Sequence, residues 1–311
     1  MSEAMAEPKT LDVLVAIVTY NSADVVVDLI KSLPAALEGC SWQLVVADNA
    51  SRDGTVGVIR ALAPDAVIVE MGRNAGYAAG INAAVSAGAH SRSILVLNPD
   101  TRLGAESVSV MFQRLADPSI GIVVPRLLWG KGALVHTLRR EPNIRRALGD
   151  ALLGWRRAGR FESWGEIVVA DDCYTNDSTA DWAAGPAMLI SRSCLDTCGP
   201  WDESFFLYSE ETEFCLRARD HGFRLILTPG AVVVHLGGAS QVAPDLHSLV
   251  VVNRIKLYSR RHGRFATAAF WSVAVLRSAS RAASGREAER AALRTLLSRE
   301  RMRSAAQLAA R

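Results

Sequence analysis

No stretch of this chain is apolar for long enough to cross a bilayer. The longest such run, Phe265 to Leu276, has twelve residues, against the roughly twenty that a spanning helix requires. The opening residues, Met1 to Thr10, are polar and lack the apolar centre of a signal peptide, so a disordered start over 1–10 and a cytoplasmic location are expected. Cysteine is scarce: Cys40, Cys173, Cys194, Cys198 and Cys215 are odd in number and irregular in spacing. That argues against a disulfide framework and for reduced, packed thiols. Cys194 and Cys198 have no second pair with which to build a zinc site. A P-loop is missing, and no Gly-x-Gly-x-x-Gly follows the first apolar run, which disfavours a dinucleotide-binding dehydrogenase. Internal repeats and low-complexity segments are missing too.

What the chain has is enough apolar material for one large core, or one core with an annex: 311 residues, 50% hydrophobic and 22% charged. The net charge of +3 conceals an asymmetry. Residues 254–311 hold 14 Lys or Arg against 3 Asp or Glu, leaving 21 basic and 29 acidic residues in the rest. A basic tail on an acidic body suggests an anionic partner, either membrane or nucleic acid. Against nucleic acid, no aromatic interleaving and no binding motif accompany the arginines, so none is expected to bind.

Over the first 125 residues, short apolar runs alternate with helix-like stretches. Strands are predicted at Leu11 to Thr19, Gln43 to Asp48, Val67 to Glu70, Ser93 to Leu97 and Ile120 to Val124. Helices are predicted at Ser22 to Leu37, after the turn Asn49 to Gly54, at Ala75 to Ala87 and at Gly104 to Ala116. Strands apolar throughout and separated by helices imply an α/β fold, a Rossmann-like, mostly parallel sheet covered on both faces. From Arg126 to Ala180 the pattern loosens, and Arg139 to Arg160 contains seven arginines; we read an irregular insertion beside a cleft. Order resumes with Trp182 to Ser191, a helix at Ser209 to His221, and strands at Phe223 to Leu227 and Ala231 to Val234. The expected organisation is a nucleotide-binding half over 11–125, an acceptor-binding half over 126–250 and a basic helical extension over 251–311.

In an open parallel sheet, ligands bind beyond the carboxyl ends of the strands. Here those ends read Thr19-Tyr20-Asn21, Asp48-Asn49 and Asn98-Pro99-Asp100. Singly, each is as well explained as a turn former or helix cap; together they describe a polar rim. The glycines of Gly76-Tyr-Ala-Ala-Gly80 serve either close approach to a ligand or close helix–strand packing.

The segments Val15-Ala-Ile-Val-Thr-Tyr-Asn21, Ala47-Asp-Asn-Ala-Ser-Arg-Asp-Gly-Thr55, Asn74-Ala-Gly-Tyr-Ala-Ala-Gly-Ile-Asn82 and Leu97-Asn-Pro-Asp100 resemble the opening of family 2 glycosyltransferases. Trp182-Ala-Ala-Gly-Pro-Ala-Met188, Phe205 to Arg217 and His235-Leu-Gly-Gly-Ala-Ser240 resemble its second half, especially the rhamnosyltransferase branch. The resemblance covers Leu11 to His262 and implies a GT-A fold, an inverting transfer from a nucleotide-diphospho-sugar, and a divalent cation, Mg²⁺ or Mn²⁺. By the same resemblance, Asp100 and His235 would ligate that cation, with Asn98 at the first position of the Asp-x-Asp-like motif. Asp48 would meet the base, and Thr19, Tyr20, Asn21, Arg73 and Asn74 would line the nucleotide pocket.

On the acceptor side the family usually carries Glu-Asp, where this chain has Glu210-Glu211. Glu211 stands in the place of the general base with an arm one methylene longer. Glu213 is expected to hold Arg217 in an i to i+4 pair. Trp182, Gly185, Trp201 and Asp202 match an acceptor-side wall. The donor implied is dTDP-L-rhamnose, with a UDP- or GDP-sugar as the alternative, and the acceptor a saccharide or polyprenyl-linked saccharide in cell-envelope polysaccharide assembly. A nucleotidyltransferase would want a Gly-rich basic signature near Ala16 to Asn21, which is missing. Arg254, Lys256 and Arg260 are expected to meet a diphosphate or anionic headgroups. The run Phe265 to Leu276 either lies in a membrane interface or packs on the sheet domain.

Overall fold

The computed structural model describes residues 10–237 and 244–307. The expected disordered start and Gly238 to Ser240 of the last motif lie outside the described residues. The first strand, β1 (Leu11–Thr19), is apolar on both faces because both are covered. Leu14, Ala16 and Val18 enter one buried cluster, while Val13, Val15 and Ile17 enter another. Helix α1 (Ala23–Ala36) and strand β2 (Trp42–Asp48) follow, then α2 (Thr55–Leu62), β3 (Val67–Glu70), α3 (Tyr77–Ala87) and β4 (Ser91–Leu97). Next come β5 (Thr101–Leu103), α4 (Ser107–Arg114) and β6 (Ile120–Trp129). The insertion contributes β7 (Leu138–Arg139), α5 (Ile144–Leu152), α6 (Trp155–Ala158), β8 (Ser178–Ala180) and β9 (Trp182–Ala183). It is therefore more ordered than its composition suggests; Asn143 caps α5 by accepting a bond from the Arg146 amide at 2.8 Å.

The chain returns through β10 (Ala187–Ser191), α7 (Arg192–Cys198), α8 (Glu210–Asp220) and β11 (Arg224–His235). Two strands were expected where β11 runs unbroken, because Thr228-Pro-Gly230 reads as a turn; instead the register against β6 shifts between Thr228 and Val232 and the strand carries on. Nine of the eleven described strands form one sheet in the order β3-β2-β1-β4-β10-β6-β11-β5, with β8 also on β11, while β7 pairs with β9 alone. Neighbours β3, β2, β1 and β4 are parallel, as are β6 and β11, whereas β10, β5 and β8 run the other way. The order reverses direction at β1–β4, which is where an open sheet leaves a crevice. Helices α1, α2 and α4 cover one face; α3, α7 and α8 cover the other.

The tail is helical: α9 (Pro244–Arg261), α10 (Arg264–Ala283), α11 (Glu287–Leu296) and α12 (Arg299–Gln307). The run Phe265 to Leu276 lies inside α10. Its Phe270 joins Val251, Ile255 and Tyr258 of α9 and Ala292 and Leu296 of α11 in a third apolar cluster, with Ile144 and Ala147 of α5 against it. The middle of the run thus packs on the insertion and the other tail helices rather than on the sheet, while Phe265 and Leu276 at its ends stay exposed. Among the described residues no helix is long and apolar enough to cross a membrane, and all five cysteines are free thiols.

Candidate active site

The register of β1 sets Thr19 opposite Asp48 on β2, and Ile17 opposite Leu97 on β4, so the three polar strand ends share one rim. Their roles differ. Thr19 has no exposed surface at all; its hydroxyl donates to the Asp48 carboxylate at 2.7 Å. Asp48, itself buried, also accepts from the Ser51 amide at 2.8 Å and the Ser51 hydroxyl at 2.6 Å. Thr19 was expected to touch the nucleotide; burial rules that out here, and it acts by holding Asp48. Asn49 braces the next loop, accepting from the Ala75 amide at 3.2 Å and donating to the Gly76 carbonyl at 3.1 Å. The exposed side chains on this edge are Tyr20, Asn21 and Arg73, with Asn74 half-buried beside them. Asn21 sits at φ 49 and accepts from the Arg52 amide at 2.9 Å, a residue type that tolerates the left-handed region.

Beyond β4, Asp100 is buried and its Oδ2 lies 3.0 Å from Nε2 of His235 at the end of β11. The pairing of β5 with β11 brings them together, and Trp129 stacks on the imidazole at 5.4 Å. Two ligands at right angles around a hard cation, each about 2.1 Å from it, stand about 3 Å apart. This oxygen–nitrogen pair therefore fits two positions of such a cation's shell. Among the described residues no third His, Cys, Asp or Glu joins them, so further ligands would come from water or phosphate oxygens, as small hard cations commonly require.

Helix α8 opens on Glu210 and Glu211. The approach is strained: Tyr208 and Ser209 have φ of 70 and 76, a conformation that costs about 1–3 kcal/mol per residue and persists only where the surroundings enforce it. Burial pushes the Glu210 carboxyl well above the usual range, with the neighbouring Glu211 adding to it. Its Oε2 has no hydrogen-bond partner among the described residues. Glu211 is also raised, by burial, although nearby backbone amides and the Arg139 guanidinium draw it partly back. Glu213 does pair with Arg217, at 2.9 Å.

One tyrosine links the two sides. Tyr77, the first residue of α3, donates its hydroxyl to Asn98 Oδ1 at 2.7 Å. Burial holds its phenol protonated, and the charges of Glu210, Glu211 and Asp100 all reinforce this, so the tyrosine feels both sets of carboxylates. The Asn98 amide in turn donates to the Pro186 carbonyl at 2.9 Å. Gly185, the preceding residue, lies against Glu211: a Cβ there would be in ordinary contact, 3.4 Å from the Glu211 Cβ. Gly76, at φ 94, permits Tyr77 to donate its amide to the Phe206 carbonyl at 2.8 Å, where a Cβ would collide. Trp182 stays half-exposed, paired with Arg139 across β7–β9 and carrying that guanidinium over its ring at 5.7 Å. Tyr77, Arg139 and Trp129 were not singled out from the sequence. Tyr77 lay inside a segment already noted for its glycines, whereas nothing in the arginine-rich insertion distinguished Arg139.

Five expected contacts are placed elsewhere. Trp201 is core, 3% exposed and stacked on Phe214 at 4.9 Å, because its amide and carbonyl are both tied to Asn82. The basic residues of α9 are engaged within the chain. Arg254 pairs with the buried Glu166, Lys256 bonds the Ser204 carbonyl, and Arg260 pairs with Asp202 and bonds Ser204. Lys256 and Arg260 also sit over the Phe205 ring, at 4.7 and 4.8 Å. Neither a diphosphate nor a headgroup is needed to explain them. Asp202, once assigned to the acceptor wall, is the anchor for Arg260. Asn253 completes the arrangement, donating to the carbonyls of Leu207 at 2.9 Å and Tyr208 at 3.1 Å. Helix α9 thus grips the loop that leads into Glu210 and Glu211 of α8.

Residues 14–165 match the pattern of Glycosyl transferase family 2. The chain is a family 2 glycosyltransferase. It is 26% identical over 238 residues to the N-acetylglucosaminyl-diphospho-decaprenol L-rhamnosyltransferase of Mycobacterium tuberculosis, covering 72% of this chain and 76% of that protein. Over 213 residues it is 30% identical to a low-salt glycan biosynthesis hexosyltransferase of Haloferax volcanii, covering 67% of this chain and 62% of the relative. Among solved structures, the mannosyltransferase PcManGT from Pyrobaculum calidifontis, in complex with GDP-Man and Mn²⁺, superposes with a TM-score of 0.55 at 18% identity. That match covers 97% of this chain and 86% of the other, and it identifies the fold as GT-A.

Proposed function

We propose that this glycosyltransferase moves a sugar from a nucleotide diphosphate onto an acceptor hydroxyl with inversion, using Glu211 as the base. The reading rests on one observation: Tyr77, hydrogen-bonded to Asn98, lies within electrostatic reach of both Glu211 and Asp100, and Asp100 pairs with His235. In a direct displacement, the acceptor oxygen forms a bond to the anomeric carbon while the bond from that carbon to the diphosphate oxygen breaks. The hydroxyl proton passes to Glu211, whose carboxylate, raised by burial, is a better proton acceptor than an exposed one. Asp100 and His235 would hold a divalent cation, Mg²⁺ or Mn²⁺, which offsets charge on the departing diphosphate by several kcal/mol.

Tyr77, kept neutral, donates to Asn98 and so fixes the loop that carries Asp100. Arg139 stands near enough to Glu211 to lower its pKa. It would steady the carboxylate before the reaction and greet an anionic acceptor, while Trp182 offers a face on which a sugar ring can stack. Tyr20, Asn21, Arg73 and Asn74 are the exposed or half-exposed groups that would line the nucleotide, with Asp48 braced behind them. The sugar we assign is L-rhamnose from dTDP-L-rhamnose, and the acceptor a saccharide on a polyprenyl diphosphate used in envelope polysaccharide assembly. The name of the mycobacterial relative supports both. Such an acceptor would place the enzyme on the cytoplasmic side of the membrane as a peripheral protein.

A donor panel tests the reading. The protein with Mn²⁺ is offered dTDP-rhamnose, UDP-sugars and GDP-mannose, and donor hydrolysis and thermal shift are followed. Stabilisation and hydrolysis should be largest with dTDP-rhamnose; a preference for a UDP- or GDP-sugar would replace the donor, and no response to any would remove the proposal.

A further inference from the structure

If the arginines of α9 are spent within the chain, an attachment surface must be sought elsewhere. Eleven large apolar side chains are exposed among the described residues, and five of them fall within positions 152–164: Leu152, Leu153, Trp155, Phe161 and Trp164. Leu152 is 75% and Phe161 58% exposed. The same thirteen positions carry exposed Arg156, Arg157 and Arg160 against a single acidic residue, Glu162. Arg156 lies over the Trp155 ring at 5.0 Å.

These side chains project from a built support. Arg146 of α5 donates to the carbonyls of Glu162 at 3.1 Å and Glu141 at 2.7 Å, and Arg140 donates to Gly165 at 2.9 Å. Gly149 lets the Trp164 backbone press against α5, and Ala158, the last residue of α6, is fully buried. The base of this knuckle is held by hydrogen bonds, while its apolar tips are left in water. Exposed apolar clusters of this kind mark interaction sites. Tryptophan and phenylalanine interleaved with arginine match the boundary between acyl chains and anionic headgroups, where the rings bury and the guanidiniums meet phosphate.

We infer that the α5–α6 knuckle, residues 152–164, is the surface by which the enzyme docks on an anionic lipid bilayer. Only four residues separate α5 from Arg139, which is strand-paired to Trp182 near Glu211, so docking there brings the acceptor side of the cleft toward the lipid. That consequence rests on the lipid-linked acceptor proposed above; the docking itself does not.

The test is co-sedimentation of the full chain with phosphatidylglycerol-containing vesicles, without donor or acceptor, against pure phosphatidylcholine. Wild type should bind the anionic vesicles, and less so as salt rises. The exposed pairs Leu152→Ser with Phe161→Ser, and Arg156→Glu with Arg157→Glu, should each lower partition about tenfold or more with unchanged circular dichroism. Phe265→Ser with Leu276→Ser, on exposed positions of α10, should leave partition as in wild type. No binding by wild type, loss confined to the α10 pair, or a knuckle variant that changes only the oligomeric state in light scattering would each overturn the inference. Vesicle binding that follows the knuckle in a protein that transfers no sugar would leave this inference standing while the assigned reaction fell.

Discussion

Asn253→Ala should slow the enzyme without weakening its hold on the donor. The side chain is buried, and its amide nitrogen bonds two carbonyls, those of Leu207 at 2.9 Å and Tyr208 at 3.1 Å. Each such bond contributes about 0.5–1.5 kcal/mol net, and stranded carbonyls add to the loss, so a destabilisation of about 2 kcal/mol is expected. In a chain of this size that lowers Tm by about 3 °C. The larger effect is local. Tyr208 and Ser209 are held at positive φ immediately before Glu210 and Glu211, and strain of about 1–3 kcal/mol per residue is released if the loop can relax. A shift of about 1 Å in a reacting group costs on the order of 10²-fold in rate. The assay is steady-state kinetics at 20 °C, well below the lowered Tm, with donor affinity from calorimetry alongside. We expect kcat to fall between ten- and a hundredfold while donor Kd changes less than threefold, since the donor side stands on other elements. If Tm falls as stated and kcat does not, α9 merely stabilises the chain and its grip on the loop has no part in catalysis.

Glu211→Gln should cost roughly 10²–10⁴ in kcat with donor binding retained, if the carboxylate takes the proton; equal losses in both would mark a structural role. Asp100→Ala should abolish activation by Mg²⁺ or Mn²⁺ together with activity, and a variant still activated by metal in the ordinary way would contradict the assignment. Asp150, half-buried on α5, has its carboxyl raised by desolvation from 3.8 to about 6, with Glu166 adding to it. A raised acid favours the folded state while protonated, so its contribution is complete below pH 3.8 and is lost as pH rises through about 6. Asp150→Asn should remove that part of the decline in urea midpoints between pH 4 and 7, and an unchanged profile would refute the shift.

The first four strands are legible because burial on both faces leaves few polar positions, and turn residues mark their ends. The polar rim is legible for the same reason: Thr19, Asp48 and Asn98 interrupt apolar runs at the carboxyl end of each strand. What such patterns do not carry is which polar side chain is spent on another. Thr19 and Asp48 satisfy each other, a fact of register between strands, and Trp201 is drawn into the core by Asn82, 119 residues away. The tail misled by its charge. Arg260 finds Asp202 across 58 positions and Arg254 finds Glu166 across 88, and composition alone cannot distinguish a paired arginine from a free one. The bulge in β11 escaped notice because Thr228-Pro-Gly230 is local turn chemistry, overridden by the pairing with β6 on either side.

The reversed strand β10 has an evolutionary corollary. Because it descends where β4 and β6 ascend, it presents its beginning rather than its end to the crevice, and the segment threaded between β6 and β10 arrives at the same edge as Asn98 and Asp100. If, as proposed, that segment meets the acceptor, loops within it could change chemistry while β1, β2 and β4 keep their spacing. Preference for acceptors would then be inherited on a separate stretch of chain from preference for donors.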